Sequence, residues 1–468
     1  MDELFDVIVI GAGPAGEVVA GRLGAEGRSV AIVEDRLVGG ECSFFGCMPS
    51  KALLRPAEAL AEARRIPGAA EAVTGELDVD AVLRRRDEVV HDLDDSAQLP
   101  WLEARNVTVI RGRGRLAGEL TVDVDGRILR ATQAVVLATG SSAAIPPIPG
   151  LAEARPWTNE QGTTSKDVPG RLIVLGGGVV GVELGQAWAT LGSQVTIVEA
   201  LPRLLAREEE FASALVHAAL VERGIDVRIG DAAVAVERRG DDVVLRLDSG
   251  DEVVGDELLV GVGRRPATGD LGLETVGLEP GRAVQVGDTM RVPGHTWLFA
   301  LGDVNGRALL THMAKYQARV AAEQILGRDV TVEATSDGLL SPRVVFTDPQ
   351  VAAVGHTLAS AREAGIDATA VGHQTSGVAG GSFYGRLAPG TSQLVIDKAR
   401  RVVVGATFTG PDVAEFLHAA TIAIVGEVPL ERLWHAVPSI PTRSEVWLRM
   451  LEAFDVPART ATSIGVAV

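Results

Sequence analysis

Four consecutive apolar residues, Val7 to Ile10, stop at Gly11, and a run of small residues then leads to a second apolar stretch that closes on Glu34. A short, unbroken apolar run reads as a buried strand, and the small-residue segment between two such runs reads as a helix packed closely on them. The pattern returns in "GRLIVLGGGVVGVELGQAWATLGSQVTIVEA", again strand, glycine turn, helix and strand, closing on Glu199. In both copies the third glycine precedes the closing acid by eighteen positions. Strand, helix and strand in this order predict an α/β fold with two Rossmann-like units.

The residue types at the turns have a chemical reading. Gly11 permits the tight turn, Gly13 lets the backbone approach a pyrophosphate, and Gly16 allows close helix–strand packing. The helix start presents free N–H groups to the anion. Glu34, at the end of the second strand, is placed to accept hydrogen bonds from ribose hydroxyls. Gly176, Gly178, Gly181 and Glu199 hold the same places in the second copy, so the chain is expected to bind two dinucleotides. A carboxylate at Glu199 favours a free 2'-hydroxyl over a 2'-phosphate, which predicts NAD(H) over NADP(H), with Arg203 and Arg207 nearby to blunt the preference.

Length and composition add limits. A chain of 468 residues fits roughly three domains, and 46% apolar content supplies ample core. No apolar run is long enough for a membrane span, and the acidic start "MDELFDVIVIGAG" is unlike a signal peptide, so a soluble cytoplasmic protein is expected. A net charge of -18 argues against nucleic acid or an anionic membrane as partner. The chain has 40 arginines and only four lysines, which sets Lys51 apart because it stands beside the cysteines.

Those cysteines, Cys42 and Cys47, are the only two, in "GGECSFFGCMPSK". Two thiols exclude a disulfide-framed secreted fold and a self-contained multi-cysteine zinc site, and no metal site is expected. As a metal half-site the pair lacks histidine ligands nearby, which leaves an inert core pair or a redox couple.

With two nucleotide turns and a C-x4-C segment after the first, the chain resembles the class I pyridine nucleotide-disulfide oxidoreductases over nearly its whole length. "GGECSFFGCMPSKALL" is similar to the family's redox-disulfide segment, and "VVLATGSSAAIPPIPG", with Thr139 and Gly140, to the end of its first flavin segment. "LVGVGRRPAT" resembles the close of its NAD domain, and "LFALGDVNGRALLTHMA" its second flavin segment. "SPRVVFTDPQVAAVGHT" opens a stretch like its interface domain.

The resemblance implies an FAD-binding domain in segments 1–149 and 266–337, an NAD(P)-binding domain at 150–265, and an α+β dimerisation domain at 338–468. It implies a homodimer whose active sites are shared between chains and a small-molecule redox substrate. By the same resemblance Cys47 lies against the flavin and Cys42 meets the substrate, while Lys51 lies beside the flavin paired with Glu183. Gly40, Asp303, Leu310 and Thr311 are implied on the flavin, with Asp303 at the ribityl hydroxyls, and Gly263 and Arg264 near the nicotinamide nucleotide. On an ideal helix, residues five apart lie roughly 140° out of line, so Cys42 and Cys47 can bond only where the backbone departs from helix. Gly46 permits that departure, and Pro49 is suited to begin the helix that follows.

The family's C-terminal stretch carries a histidine as acid and base, oriented by a glutamate. Here "LWHAVPSIPTRSEVW" keeps Pro441, Thr442, Ser444 and Glu445, and Ile440 stands at the histidine's place. Glu445, without that partner, is expected to cap a turn or pair with Arg443. His312 and His435 are the nearest substitutes. Glu41 and Phe44 replace the family's threonine and asparagine; Glu41 is expected to point away from the pyrophosphate, and Phe44 with Ile440 to make the substrate pocket apolar. The leading expectation is therefore an FAD-dependent NAD(P)H oxidoreductase passing electrons between NADH, FAD and a disulfide or dithiol. The alternatives are a quinone or diaphorase-type reductase and a non-catalytic flavoprotein subunit of a complex.

Overall fold

The computed structural model describes residues 3–385 and 388–455. The first apolar run becomes the strand Glu3–Ile10, central in a seven-stranded sheet and paired in parallel with Val30–Glu34 on one side and Arg127–Leu137 on the other. Val107–Arg111 extends the sheet beyond Val30–Glu34, and two short antiparallel strands, Thr121–Val124 and Gly114–Leu116, close its other end. The strand Leu298–Ala300 returns from far along the chain to pair with Arg127–Leu137. The helix Pro14–Ala25 covers one face beside the helix Thr311–Ile325. Val7, Val9, Val19, Leu23, Phe299 and Ala318 are buried between them.

The second glycine turn opens a separate four-stranded parallel sheet, in the order Asp226–Ile229, Gln194–Glu199, Arg171–Leu175 and Glu257–Val260. Its helix, Val179–Thr190, seats Trp188, which is fully buried and donates its indole N–H to the Gly162 carbonyl at 3.0 Å. A three-stranded antiparallel sheet, residues 233–255, packs behind it. The two parallel sheets are joined by a small ladder in which Arg264–Pro266 pairs with Ser141–Ala143.

The last part of the chain is a five-stranded antiparallel sheet in which Val402–Gly410 is central. Helices Leu417–Val425 and Glu445–Ala453 cover it through Phe408, Ile424, Val446 and Met450. Doubly wound parallel sheets followed by an antiparallel sheet with helices give the expected α/β architecture. No helix among the described residues is long and apolar enough to cross a membrane.

Candidate active site

Both glycine turns are held the same way. Gly11 sits at φ +101 and Gly176 at φ +110, a region open to glycine and strained for other residues. A Cβ on Gly16 would lie 1.9 Å from the Gly11 carbonyl oxygen, and one on Gly181 would lie 1.9 Å from that of Gly176. The strand-end carboxylates complete the turns: Glu34 accepts from the N–H of Ala12 at 2.7 Å and of Arg36 at 2.8 Å. Glu199 accepts from Gly177 at 2.6 Å and Leu201 at 2.7 Å. Each acid therefore faces the mouth of its own turn. Gly40, at φ +63, lies so close to the first turn that a Cβ there would come within 2.6 Å of the Gly13 Cα.

The cysteine segment folds as two helices with a break between them. Gly40–Phe44 carries Cys42, and Cys47–Arg65 begins at Cys47 after Gly46, whose backbone at φ -132 and ψ -104 is far from helical. The second helix thus starts two residues before Pro49, and Pro49 lies in its first turn, where the missing N–H costs nothing. The bend brings the two sulfurs to 2.7 Å as free thiols. The Thr311 hydroxyl lies 3.4 Å from Cys47 Sγ.

The S–H that Cys42 donates to Cys47, helped by Thr311 and the charge of Lys51, brings the Cys47 thiol down to about 6 against the penalty of burial. The same bond and burial push the Cys42 thiol up. One proton is thus shared by an unequal pair, with Cys47 as the thiolate.

Behind Cys47, Lys51 Nζ lies 2.6 Å from Glu183 Oε2. Glu183 is 3% exposed, and its other oxygen accepts from the Phe346 N–H at 2.8 Å. The Lys51 ammonium also lies 4.8 Å from the centre of the Phe346 ring. The expected lysine–glutamate pair is therefore formed, and it ties the cysteine helix to the helix of the second glycine turn.

A second cluster lies on the other side. Asp303 accepts from the Ser141 hydroxyl at 2.6 Å, and burial pushes its carboxyl up against the pull of Ser141 and Arg264. Arg264 donates to the Ser141 hydroxyl at 2.6 Å, pairs closely with Glu41, and lies 3.6 Å from Asp303. Glu41 also accepts from Asn159 Nδ2 at 2.5 Å. The Arg264 side chain, expected near the nicotinamide nucleotide, is thus drawn by two carboxylates to the side where Asp303 stands. Ser141 directly follows the Thr139–Gly140 pair and was findable from it; nothing local in the sequence pointed to Asn159. Gly140 and Gly263 both hold positive φ at the ends of the ladder joining the sheets, and the Thr139 hydroxyl donates to the Ala267 carbonyl at 3.0 Å.

One expectation needs correction. Phe44 is 1% exposed, packed against Gly39 and the Phe45 ring, so it lines no pocket. It ends a short helix whose other side carries Cys42, and the apolar residue takes the inward side. Glu445 pairs with Arg449 Nη2 at 2.6 Å and accepts from the Ala379 N–H at 3.3 Å. Of its two expected roles it takes the first, capping the turn Ala379–Tyr384, while Arg443 is buried over the Tyr384 ring at 3.8 Å and donates to the Pro411 carbonyl. Leu310 precedes the Thr311–Ile325 helix with an extended backbone, and its carbonyl accepts from the Ala314 N–H at 2.9 Å.

No hydrogen bond or ion pair among the described residues links Glu445 to the cysteine segment. Ile440 is 72% exposed at the chain's surface. His312 Nε2 lies 2.7 Å from the Pro342 carbonyl and burial lowers its ring's basicity. His435 stacks edge-on against Trp434 at 5.0 Å.

The family described as pyridine nucleotide-disulphide oxidoreductase matches residues 5–318, and its dimerisation domain matches residues 341–451. The chain belongs to this family. A dihydrolipoyl dehydrogenase of Chlamydia muridarum is 31% identical over 468 residues, covering 98% of both chains. Dihydrolipoyl dehydrogenase 3 of Pseudomonas aeruginosa is 34% identical over 483 residues, covering 98% of this chain and 99% of its own. Among solved structures, the Cu(II) complex of the HOCl-induced flavoprotein disulfide reductase RclA from Escherichia coli has a TM-score of 0.85 at 24% identity, covering 97% of this chain and 100% of its own, which shows the shared fold. LpdA from Mycobacterium tuberculosis gives 0.84 at 25%, covering 96% and 99%.

Members of this pyridine nucleotide-disulphide oxidoreductase family are FAD-dependent NAD(P)H oxidoreductases. The chain's own residues fit FAD: Gly13 is bare on the open side of the first turn, and the partly buried Asp303 carboxylate already accepts from a hydroxyl, that of Ser141. The two turns give a direct test. Gly16→Ala forces a methyl into the Gly11 carbonyl and is expected to cost about 1–3 kcal/mol and leave protein depleted of FAD. Gly181→Ala should keep FAD and raise KM for the nicotinamide nucleotide. Flavin absorbance per chain and steady-state KM check the pair.

Proposed function

We propose that the protein is an NADH-linked reductase in which Cys42 and Cys47 exchange two electrons with a disulfide or dithiol substrate. The observation that carries this reading is the approach of the two sulfurs to 2.7 Å at the head of one helix, with the Lys51–Glu183 pair directly behind Cys47. FAD, when bound, would supply the two-electron redox chemistry that links a nicotinamide nucleotide to the cysteines. Glu183 holds Lys51, and Lys51 keeps positive charge beside Cys47. Cys47 is held as thiolate, while Cys42 keeps the proton until exchange. Arg264 and Asp303 fix the hydroxyl-binding side, with Glu41 bound to Arg264 and so directed away from the phosphates.

The same reading takes the two glycine-turn sheets as flavin and nicotinamide domains, divided at about the positions the motifs mark, and the C-terminal sheet as a two-fold interface that completes each site. Support for NAD(H) comes from Glu199, whose carboxylate faces the second turn. Arg203 spends its guanidinium on the carbonyls of Leu205, Ala206 and Glu208, which removes one candidate for a 2'-phosphate. NADH is expected to exceed NADPH in kcat/KM by about tenfold or more, since repulsion of a phosphate by a carboxylate of about 1.4 kcal/mol suffices. Glu199→Ala should narrow the ratio, and equal use of both nucleotides by the natural protein would contradict the assignment.

Steady-state assays with lipoamide and with quinones test the substrate class. Turnover of a disulfide that disappears in Cys42→Ser supports the reading. Quinone turnover that survives in Cys42→Ser, with no disulfide activity in the parent, moves the function to the flavin alone.

A further inference from the structure

Asn159 is 8% exposed, and its amide is engaged on both sides. Its Nδ2 donates one proton to Glu41 Oε1 at 2.5 Å and the other to the Phe45 carbonyl at 2.9 Å. Its Oδ1 lies 3.5 Å from Arg264 Nη1. Two acceptors on one side and a guanidinium on the other fix which way the amide faces. Glu41 stands in the first turn of the helix Gly40–Phe44, and Phe45 follows its end, with its N–H donated to the Glu41 carbonyl at 2.7 Å. The amide thus spans both ends of the segment that carries Cys42. The Phe45 carbonyl it holds belongs to the peptide that opens the bend at Gly46.

The helix that presents this residue, Asn159–Thr164, is itself fixed from several directions. Just before it, Trp157 exchanges backbone hydrogen bonds with the strand Glu257–Val260, donating to Leu258 at 2.7 Å and accepting from Val260 at 2.9 Å. Thr158 and Gln161 close a capping box at its start. Trp188 donates to the Gly162 carbonyl, and the fully buried Arg86 donates to the carbonyls of Thr163 at 2.6 Å and Ser165 at 2.9 Å. Glu160 pairs with Arg36 at 2.7 Å, and that guanidinium lies 4.9 Å from the centre of the Phe45 ring. The Thr163 hydroxyl lies 3.3 Å from the Phe45 carbonyl, but its one proton has a nearer acceptor in the Asn159 carbonyl at 2.8 Å. Asn159 is therefore the stronger hold on the cysteine segment, and it is mounted on a rigid element.

We propose that Asn159 is a positioning residue for the cysteine pair, a staple that holds the Cys42 segment so that Cys47 can close on Cys42 during exchange. This rests on the proposed function, in which Cys42 meets a disulfide substrate. The Cys42 thiolate attacks one substrate sulfur, the substrate S–S bond breaks, and the first substrate thiolate takes up the proton that Cys42 gave up. Cys47 then attacks Cys42 in the mixed disulfide. The bond from Cys42 to the substrate breaks, the Cys42–Cys47 bond forms, and the second substrate thiolate takes a proton from water. The substrate gains two electrons and the cysteine pair loses them. Asn159 bonds neither sulfur among the described residues. It acts on the second step, which is intramolecular and so depends on how well the two sulfurs are kept in reach of each other.

To test this, the FAD-loaded protein, its cysteines first reduced with a phosphine, is mixed with one equivalent of dithiobis-nitrobenzoate, whose thiolate absorbs visible light. Attack on the reagent releases one nitrothiobenzoate and closure of the pair releases a second, so the two steps are seen apart. Asn159→Ala should slow the second release about tenfold and leave the first as in the parent, since a small misplacement costs that much in an intramolecular step. Asn159→Asp has the same shape with acceptors where the donors were. It should slow the second release at least as far, and it decides alone if the alanine protein does not hold FAD. Thr163→Val keeps both amide bonds and should close nearly as fast as the parent. A second release at the parent rate in the Asn159 variants overturns the proposal, as does equal slowing in Thr163→Val or equal slowing of both releases. The parent protein separates this result from that of the proposed function. A parent that never releases the second thiolate refutes the redox pair itself, whereas a parent that closes no faster than its Asn159 variants refutes the staple alone.

Discussion

Cys47→Ser is expected to abolish NADH-driven disulfide reduction, by about three orders of magnitude or more, because the remaining thiol can form a mixed disulfide and nothing then resolves it. Cys42→Ser should be equally inactive for a different reason, since Cys47 is shielded from substrate by its neighbour. The two variants separate by titration. In the reduced parent, Cys47 is brought to about 6 chiefly by the S–H of Cys42. A lowered thiol pKa means that thiolate is present above that value and disappears as pH falls through it. Ultraviolet thiolate absorbance should therefore persist to about pH 6 in the parent. In Cys42→Ser the weaker hydroxyl donor leaves Thr311 and Lys51 to hold the charge, and the midpoint should rise. A parent midpoint near that of an ordinary cysteine would contradict the geometry of the pair.

The second large effect is expected at Lys51. Lys51→Met leaves Glu183 buried with only the Phe346 N–H as donor. Breaking a buried pair from one side costs about 3 kcal/mol, more than the pair contributes when intact, because a charge remains without its partner. Glu183→Gln should cost less, since the amide still accepts from Phe346 and the lysine that loses its partner is partly exposed. The same Lys51→Met change removes a charge that favours the Cys47 thiolate, so its thiol midpoint should rise as well. Denaturant unfolding of the two variants against the parent, together with the thiolate titration, measures both effects; a Glu183→Gln loss as large as that of Lys51→Met would mean that the carboxylate is not the costly buried group.

These effects follow from features of unequal legibility. Both glycine turns, their closing acids and the cysteine bend were readable because each depends on backbone geometry within about twenty residues. Gly16 and Gly181 are glycines because a carbonyl lies where their Cβ would be, and Gly46 breaks the helix so that the sulfurs meet. The Lys51–Glu183 pair spans 132 positions and was legible only through family resemblance.

Partners chosen over long distances without such a guide were not legible. Arg264 is drawn to Glu41 and Ser141 because the ladder between the sheets places them together, which spacing does not reveal. Phe44 was read as a pocket residue because it replaces a polar one, yet the side it occupies is set by the packing of a five-residue helix. Glu445 finds Arg449 one helical turn away, a neighbour its own helix provides.

The central claim is that the cysteine pair, and not the flavin alone, carries electrons. Anaerobic titration of the FAD-loaded protein with NADH, followed by counting thiols after unfolding, tests it most directly. The account predicts that the oxidised protein takes up two electron pairs per chain and that both Cys42 and Cys47 then react as free thiols. Uptake of a single pair, with the disulfide intact after the flavin is fully reduced, would contradict it.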